Sequence, residues 1–285
     1  GHGERNRMGN PVFIIGSPRS GTSALTWSLG QHPNLYPLEE TVWFGPLGRE
    51  AEQAFELGSA RGARSQLSAM GISRERFMRG LGDAIDAMIM EHRFRPADDV
   101  EKKTPFTLIR RSKDPKERWV DGTPENSNCV DQLRALFPEA SFIHLLREPE
   151  LVIRSLGNFD QIGGKPQIAD EACREWLRHV QACLAAESAL PAGRIMRLAH
   201  RDLAENPKDA IRRCLSFLGE PWSKDCLKPL RHRINSSAPD TTDGHIPLDE
   251  ALLAEVHSVC AESGLDLPPS MVPRQAARSE EAGSA

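Results

Sequence analysis

The residues best placed to do chemistry stand where the first apolar run ends. Val12-Phe13-Ile14-Ile15 leads directly into Gly16-Ser17-Pro18-Arg19-Ser20-Gly21-Thr22-Ser23, and a helical pattern then runs to Gly30. This strand–loop–helix order gives meaning to a glycine spacing that is weak by itself. Gly16 and Gly21 let the backbone curl so that several N–H groups point inward. The helix N-terminus adds a partial positive charge, and the result is a cradle for an anion such as a phosphate. The Gly16–Gly21 spacing equals that of a nucleoside-triphosphatase loop, whose next residue is the Lys that reaches the β and γ phosphates. Here that residue is Thr22, and the basic residue, Arg19, lies inside the loop. The expected ligand carries one 5'-phosphate and a further group that Arg19 polarises.

A second anion motif follows another apolar run. Ser141–Leu146 ends in Arg147-Glu148-Pro149, and Ser155 comes about two helical turns later. Arg147 is expected at the carboxyl end of a strand, where open α/β sheets place their ligands, and its planar fork suits a phosphate. Read alone, Arg-Glu-Pro is also a plain helix start with Pro in the first turn. Glu39 and Glu40 form a third feature. A hydroxyl acceptor is a poor nucleophile until a positioned group takes its proton, and adjacent carboxylates raise one another's pKa. A solvated acidic pair on a loop is the bland alternative.

Pro18-Arg19-Ser20-Gly21-Thr22-Ser23 resembles throughout the 5'-phosphosulfate loop of sulfotransferases that use 3'-phosphoadenosine 5'-phosphosulfate (PAPS), with its pattern Pro-Lys/Arg-Ser/Ala-Gly-Thr-Thr/Ser. Arg147 and Ser155 resemble the same family's 3'-phosphate motif. The resemblance spans roughly 11–222. It implies that Pro18, Arg19, Ser20, Gly21, Thr22 and Ser23 hold the 5' end of PAPS, while Arg147 and Ser155 hold the 3'-phosphate in a separate pocket. The stretch from the first loop to Glu39-Glu40-Thr41 looks like that of tyrosylprotein sulfotransferases, which puts the base on Glu39. The register of heparan-type relatives puts it on Glu40, and the sequence leaves both open. Arg233 and Ser236 fall in a segment resembling the late loop that closes over the nucleotide. Asp121-Gly122-Thr123-Pro124 resembles an Asp-Lys-Thr/Ser-Pro segment, with Gly122 in place of the Lys that assists the sulfuryl group. That departure puts more weight on Arg19 or on a basic residue from elsewhere, such as Lys102 or Lys103.

The implied activity is direct in-line transfer of the sulfuryl group to a hydroxyl or amine, releasing adenosine 3',5'-bisphosphate (PAP). Arg19 and the loop amides stabilise the growing charge. No metal is called for. The acceptor is a small molecule, lipid, carbohydrate or peptide. Two other readings remain: a phosphotransferase of the P-loop kinase type, against which Thr22 counts, and a non-catalytic nucleotide-binding scaffold, at which Gly122 hints. His245 is a runner-up base. His144, in mid-strand, reads as a satisfied core residue.

The elements that must position these groups alternate along the chain. Val12–Ile15, Ser141–Leu146, Arg194–Leu198 and Arg118–Val120 read as short buried strands. Helical spacing marks the segments after and between them. The expected fold is α/β: three α/β/α layers around a central parallel sheet, of the P-loop nucleotide-kinase-like kind. Residues 11–270 form one domain. The strand signal vanishes between Phe55 and Met90, where Ser73 looks like an N-cap, so about 45–116 reads as a helical insertion beside the acceptor. Residues 1–10 and 271–285 read as a disordered leader and tail.

Bulk composition narrows the class further. The 285 residues carry a net charge of -4, which argues against a nucleic-acid binder held by charge. No run approaches the ~18 apolar residues of a membrane span. The six cysteines form no Cys-x-x-Cys pair and read as buried thiols in a reducing compartment. The expected location is cytoplasmic, with a lumenal domain trimmed of its anchor left open, and the oligomeric state is not legible.

Overall fold

The structure, a computed structural model, describes residues 10–93, 116–231, 244–267 and 269–271. A five-stranded sheet lies at the centre in the order β2-β3-β1-β4-β5, and every pairing is parallel. The strands are β1 (Val12–Ile15), β2 (Leu35–Pro37), β3 (Arg118–Asp121), β4 (Ser141–Leu146) and β5 (Ile195–Ala199). The helices in chain order are α1 (Thr22–Leu29), α2 (Phe44–Ser59), α3 (Gln66–Ala69), α4 (Arg74–His92), α5 (Val130–Leu136), α6 (Pro149–Gly157), α7 (Ala169–Ala189), α8 (His200–Glu205), α9 (Pro207–Leu218) and α10 (Glu250–Ser263).

The apolar strands are buried on both faces because successive side chains point to opposite sides. In β1, Phe13 and Ile15 face an aromatic core with Phe44, Trp119, Phe137 and Phe142 under α2, α4 and α5. Val12 and Ile14 face the other way, onto Leu25, Leu29, Leu203, Ile211 and Leu215 of α1, α8 and α9. A third cluster joins α6, α7 and α10 through Val152, Leu156, Trp176, Val180, Val256 and Val259. The three-layer parallel architecture expected from the sequence is therefore the one present. Four of the five strands match their expected places to within about a residue.

The fifth strand, β2, was not expected. It is three residues long and ends in Pro37, which cannot donate to a ladder. It forms because Leu35–Pro37 lies in register with Arg118–Val120 at the edge of the sheet. Lys116 anchors the approach by donating to the carbonyls of Gly30, His32 and Leu35 at 2.7–3.2 Å. α2, α3 and α4 fill the chain between β2 and β3, and Ser73 caps α4 by accepting from the Arg76 N–H at 3.2 Å. Residues 1–9 and 272–285, on which most of the expected leader and tail falls, lie outside the described residues, as do 94–115 and 232–243.

Strand order sets the site. The connection from β1 through α1 to β2 leaves to one side, and that from β3 through α5 to β4 returns across β1. Chain direction thus diverges beside β1, opening a crevice above the carboxyl ends of β1 and β4.

Candidate functional site

The loop after β1 bends sharply and is held from several sides. Gly16 donates its N–H to Ser127 Oγ at 3.0 Å, and the same hydroxyl donates to the Gly16 carbonyl at 3.1 Å. Ser17 and Ser20 hydroxyls bond each other at 2.6 Å, so Ser20 braces the loop. Arg19 sits at φ 64°, in the left-handed region where a side chain is strained, a cost usually met at working sites. Gly21, at φ 91°, is the N-cap of α1 and supplies no capping side chain. The first amides of α1 (Thr22, Ser23 and Ala24) therefore keep their N–H groups facing the loop, a ready anion site.

Two arginines close the crevice. Arg147, at the end of β4, donates through Nη1 to the Arg19 carbonyl. Its Nε is buried and has no partner among the described residues. Arg19 Nε donates to Ser155 Oγ at 3.0 Å, and its guanidinium lies over the Phe159 ring, 5.3 Å from the centroid. The two anion motifs expected in separate pockets are thus joined: Ser155 and Arg147 each bond Arg19 directly.

Both arginines have their pKa lowered by burial, and Arg147 is lowered further by Arg19. Glu148, next to Arg147, turns outward to Arg201 at 3.1 Å. A group that sequence reasoning missed completes the cluster. His200, the first residue after β5, lies so close to Gly21 that a Cβ there would come within 3.1 Å of the His200 ring. Desolvation and then Arg147 push His200 down to about 4, so it is neutral at pH 7. The signal available in sequence was its place just after an apolar strand.

On the other side of β1, the acidic pair follows β2. Thr41 is the latch. Its hydroxyl donates to Asp121 Oδ2, and its N–H donates to Thr123 Oγ1 at 2.7 Å. Asp121 is fully buried and also accepts from the Thr123 N–H at 3.0 Å, the Thr123 hydroxyl at 2.6 Å and Asn126 Nδ2 at 2.6 Å. The expected Asp121–Thr123 segment thus fixes the loop that carries Glu39 and Glu40. Both glutamates reach the surface, yet the Glu40 carboxyl is raised above the usual range by desolvation, then by Glu125, Asp121 and Glu39. β3 lies between β2, which leads into the acidic pair, and β1, which leads into the loop.

Gly122 has a steric reason. A Cβ there would lie 2.0 Å from Thr26 Oγ1 and 3.0 Å from the Thr22 carbonyl. The chain runs against the first turns of α1, and no side chain fits.

Other candidates are placed elsewhere. His245 is exposed on the loop whose Gly244 carbonyl accepts from Arg154. His144 is in the core as expected, but it is only half satisfied: Nδ1 donates to Glu187 Oε1 at 2.6 Å, while buried Nε2 has no partner among the described residues. Arg233, Ser236, Lys102 and Lys103 lie outside the described residues. All six cysteines are buried and unpaired. No helix among the described residues is long and apolar enough to cross a membrane.

Comparison with known proteins places this geometry. In sequence, the chain is 26% identical over 226 residues to a protein of Aquifex aeolicus named only as uncharacterized; the match covers 76% of this chain and 26% of that protein, so the chain spans about a quarter of that relative's length. In structure, it is similar to the sulfotransferase domain of the olefin synthase of Synechococcus PCC 7002, with a TM-score of 0.57, 22% identity, and coverage of 91% of this chain and 97% of that one. It is also similar to the sulfotransferase domain from the curacin biosynthetic pathway, with a TM-score of 0.56, 20% identity, and coverage of 92% and 100%. These likenesses bear on the fold. The family described as "Sulfotransferase family" matches residues 11–224, from β1 to the turn beyond α9, and the chain belongs to that family.

Proposed function

We propose that the chain transfers the sulfuryl group of PAPS to a hydroxyl or amine acceptor, with Glu40 as the base. The observation that carries this reading is the junction of two part-buried cations: Arg147 donates to the Arg19 carbonyl, and both guanidinium groups lie above the uncapped start of α1 with their pKa lowered by burial. Burying two adjacent like charges is unfavourable, and an anionic ligand relieves it. Two anions on one nucleotide fit better than a triphosphate chain, because Thr22 stands where a kinase has its lysine. The 5'-phosphosulfate takes the loop amides and Arg19. The 3'-phosphate takes Arg147, whose Nε has a donor to spare, and Ser155. The base of the nucleotide is directed toward β5 and His200, since Glu40 and the acceptor occupy the β2 side.

The chemical step balances without a metal. The acceptor oxygen or nitrogen attacks sulfur while its proton passes to a carboxylate oxygen of Glu40. The bond from sulfur to the bridging oxygen breaks, its electron pair stays on the 5'-phosphate, and PAP departs. Arg19 stabilises charge growing on the bridging and sulfuryl oxygens. The raised pKa of Glu40 makes it a better base than an ordinary glutamate. Glu39 remains the alternative base. A soluble protein in a reducing compartment agrees with the unpaired thiols.

Calorimetric titration with PAP, and separately with ATP and magnesium, tests the donor assignment. PAP is expected to bind at least 100-fold more tightly, as two charge-assisted contacts require. Equal or tighter binding of ATP would overturn the reading. Transfer from labelled PAPS, lost in Arg19→Ala, separates an enzyme from a scaffold.

A further inference from the structure

We infer that the acceptor is an uncharged amphipathic alcohol, a hydroxyl carried on an apolar chain or ring, rather than an acidic peptide or polysaccharide; this rests on the sulfotransferase reading above. The residues immediately after Glu40 form an apolar lip. Val42 is 60% exposed and Trp43 41% exposed, two of the few large apolar side chains left open to water among the described residues. Of the other six, Leu57 and Met88 are on α2 and α4, Met70 directly follows α3, and Leu151, Ile168 and Trp222 lie on α6, before α7 and after α9, away from the acidic pair in sequence.

The lip is held in place. Thr41, between Glu40 and Val42, is buried and bonded to Asp121 and Thr123, so Glu40 and the lip are fixed relative to each other. Trp43 rests edge-on against the buried Phe44 ring, with centroids 4.4 Å apart, which roots it in the aromatic core. Val42 and Trp43 are thus the exposed apolar surface that lies nearest Glu40 along the chain. Exposed apolar surface beside a reacting group gains by being covered, and only an acceptor with its own apolar surface covers it.

Charge argues in the same direction. Glu39, Glu40, Asp121 and Glu125 converge there, and three of them act to raise the pKa of the fourth, Glu40, by like-charge repulsion. A carboxylated or sulfated acceptor would add negative charge to that set, and a neutral alcohol would not. The lip and the charge balance are independent observations, and both select the same class.

The test is a chain-length series of neutral primary alcohols from ethanol to octanol, assayed for PAP release with the full chain at fixed PAPS. An acidic tyrosyl peptide and a carboxylated oligosaccharide run in parallel. The expected result is a kcat/KM that rises by about 30-fold or more across the series, at roughly threefold or more per two methylenes, with no comparable rate on the anionic acceptors. Trp43→Ala and Val42→Ser should flatten the series by raising KM while PAP affinity stays unchanged. A flat series in the unaltered protein, or preference for either anionic acceptor, overturns the inference while leaving donor binding intact. Failure to bind PAP overturns the sulfotransferase reading instead, and this inference with it.

Discussion

β4 carries two basic residues three positions apart, and the structure treats them in opposite ways. His144, mid-strand, belongs to a knot in which Glu187 accepts from its Nδ1 at 2.6 Å and from Arg197 Nε at 2.9 Å. Arg147, just past the strand end, meets Arg19 and His200, and among the described residues no carboxylate is hydrogen-bonded to it, although Glu148 raises its pKa from nearby. In the knot, burial pulls His144 down, but Cys183 and Glu187 outweigh it and lift the imidazole to about 9. Burial raises Glu187, and His144 and Arg197 outweigh that and bring it to about 2. At the strand end, burial and like charge act together and lower both Arg147 and His200. Balanced charge ties α7 to β4 and β5. The charge at the strand end is the one proposed above to take a ligand. Cation burial alone does not separate the two uses; the presence of a carboxylate does.

The sharpest way to break the contrast is to remove Arg19 from the unbalanced side. Arg19→Ala is expected to lower kcat/KM by about 1000-fold, as loss of a donor aimed at developing charge does, with little change in the urea midpoint. A variant that retains most of its rate would remove Arg19 from the chemistry.

Next in size is the balanced side. Glu187→Gln leaves His144 and Arg197 without their counter-charge. It should destabilise the fold by about 3 kcal/mol, the lower end for one partner of a buried pair because Glu187 keeps part of its side chain in water. Arg147→Met should do the reverse: PAP binding weakens about 100-fold, while stability is unchanged or rises by about 1 kcal/mol. Equal destabilisation by the two substitutions, read from denaturant curves, would dissolve the comparison.

The pH dependence of stability sharpens it further. His144 has a folded pKa of about 9 against an ordinary 6.5, so its contribution is complete below about pH 6.5 and lost as pH rises through 9. Glu187 has a folded pKa of about 2 against an ordinary 4.5, so its contribution is complete above about pH 4.5 and lost as pH falls toward 2. The knot is worth most between those limits. Urea midpoints measured from pH 4 to pH 10 should decline on the alkaline side in the unaltered protein, and Glu187→Gln should reduce that decline.

The smallest effect concerns Glu40. Its pKa is raised by desolvation first and by Glu125 second. Transfer requires the ionised form, so kcat should fall as pH drops through a value above the ordinary glutamate 4.5. Glu125→Gln should move that limb to lower pH. An unmoved limb would point to another base.

Some of the molecule is legible in the chain because the interactions responsible are local. A four-residue apolar run, then Pro18-Arg19-Ser20-Gly21-Thr22-Ser23, then a helical pattern specifies strand, loop and helix within some twenty residues. Arg147-Glu148-Pro149 and Ser155 likewise sit on one strand and the helix that follows it. Ser73 announces α4 by capping it.

The rest depended on residues far apart in sequence. β2 is too short, and too burdened by Pro37, to be read as a strand; its pairing with Arg118–Val120 makes it one. Thr41 finds Asp121 and Thr123 about eighty residues later, and only that meeting distinguishes the surroundings of Glu40 from a solvated acidic loop. Gly122 is a departure from a motif in the sequence and a steric necessity against Thr26 in the fold. His200 reaches Gly21, and Glu187 reaches His144, because the strand order brings β4 and β5 beside β1. Local pattern fixed which side chains were available for chemistry; the packing of strands distant in sequence decided which charges met a partner and which were left for a ligand.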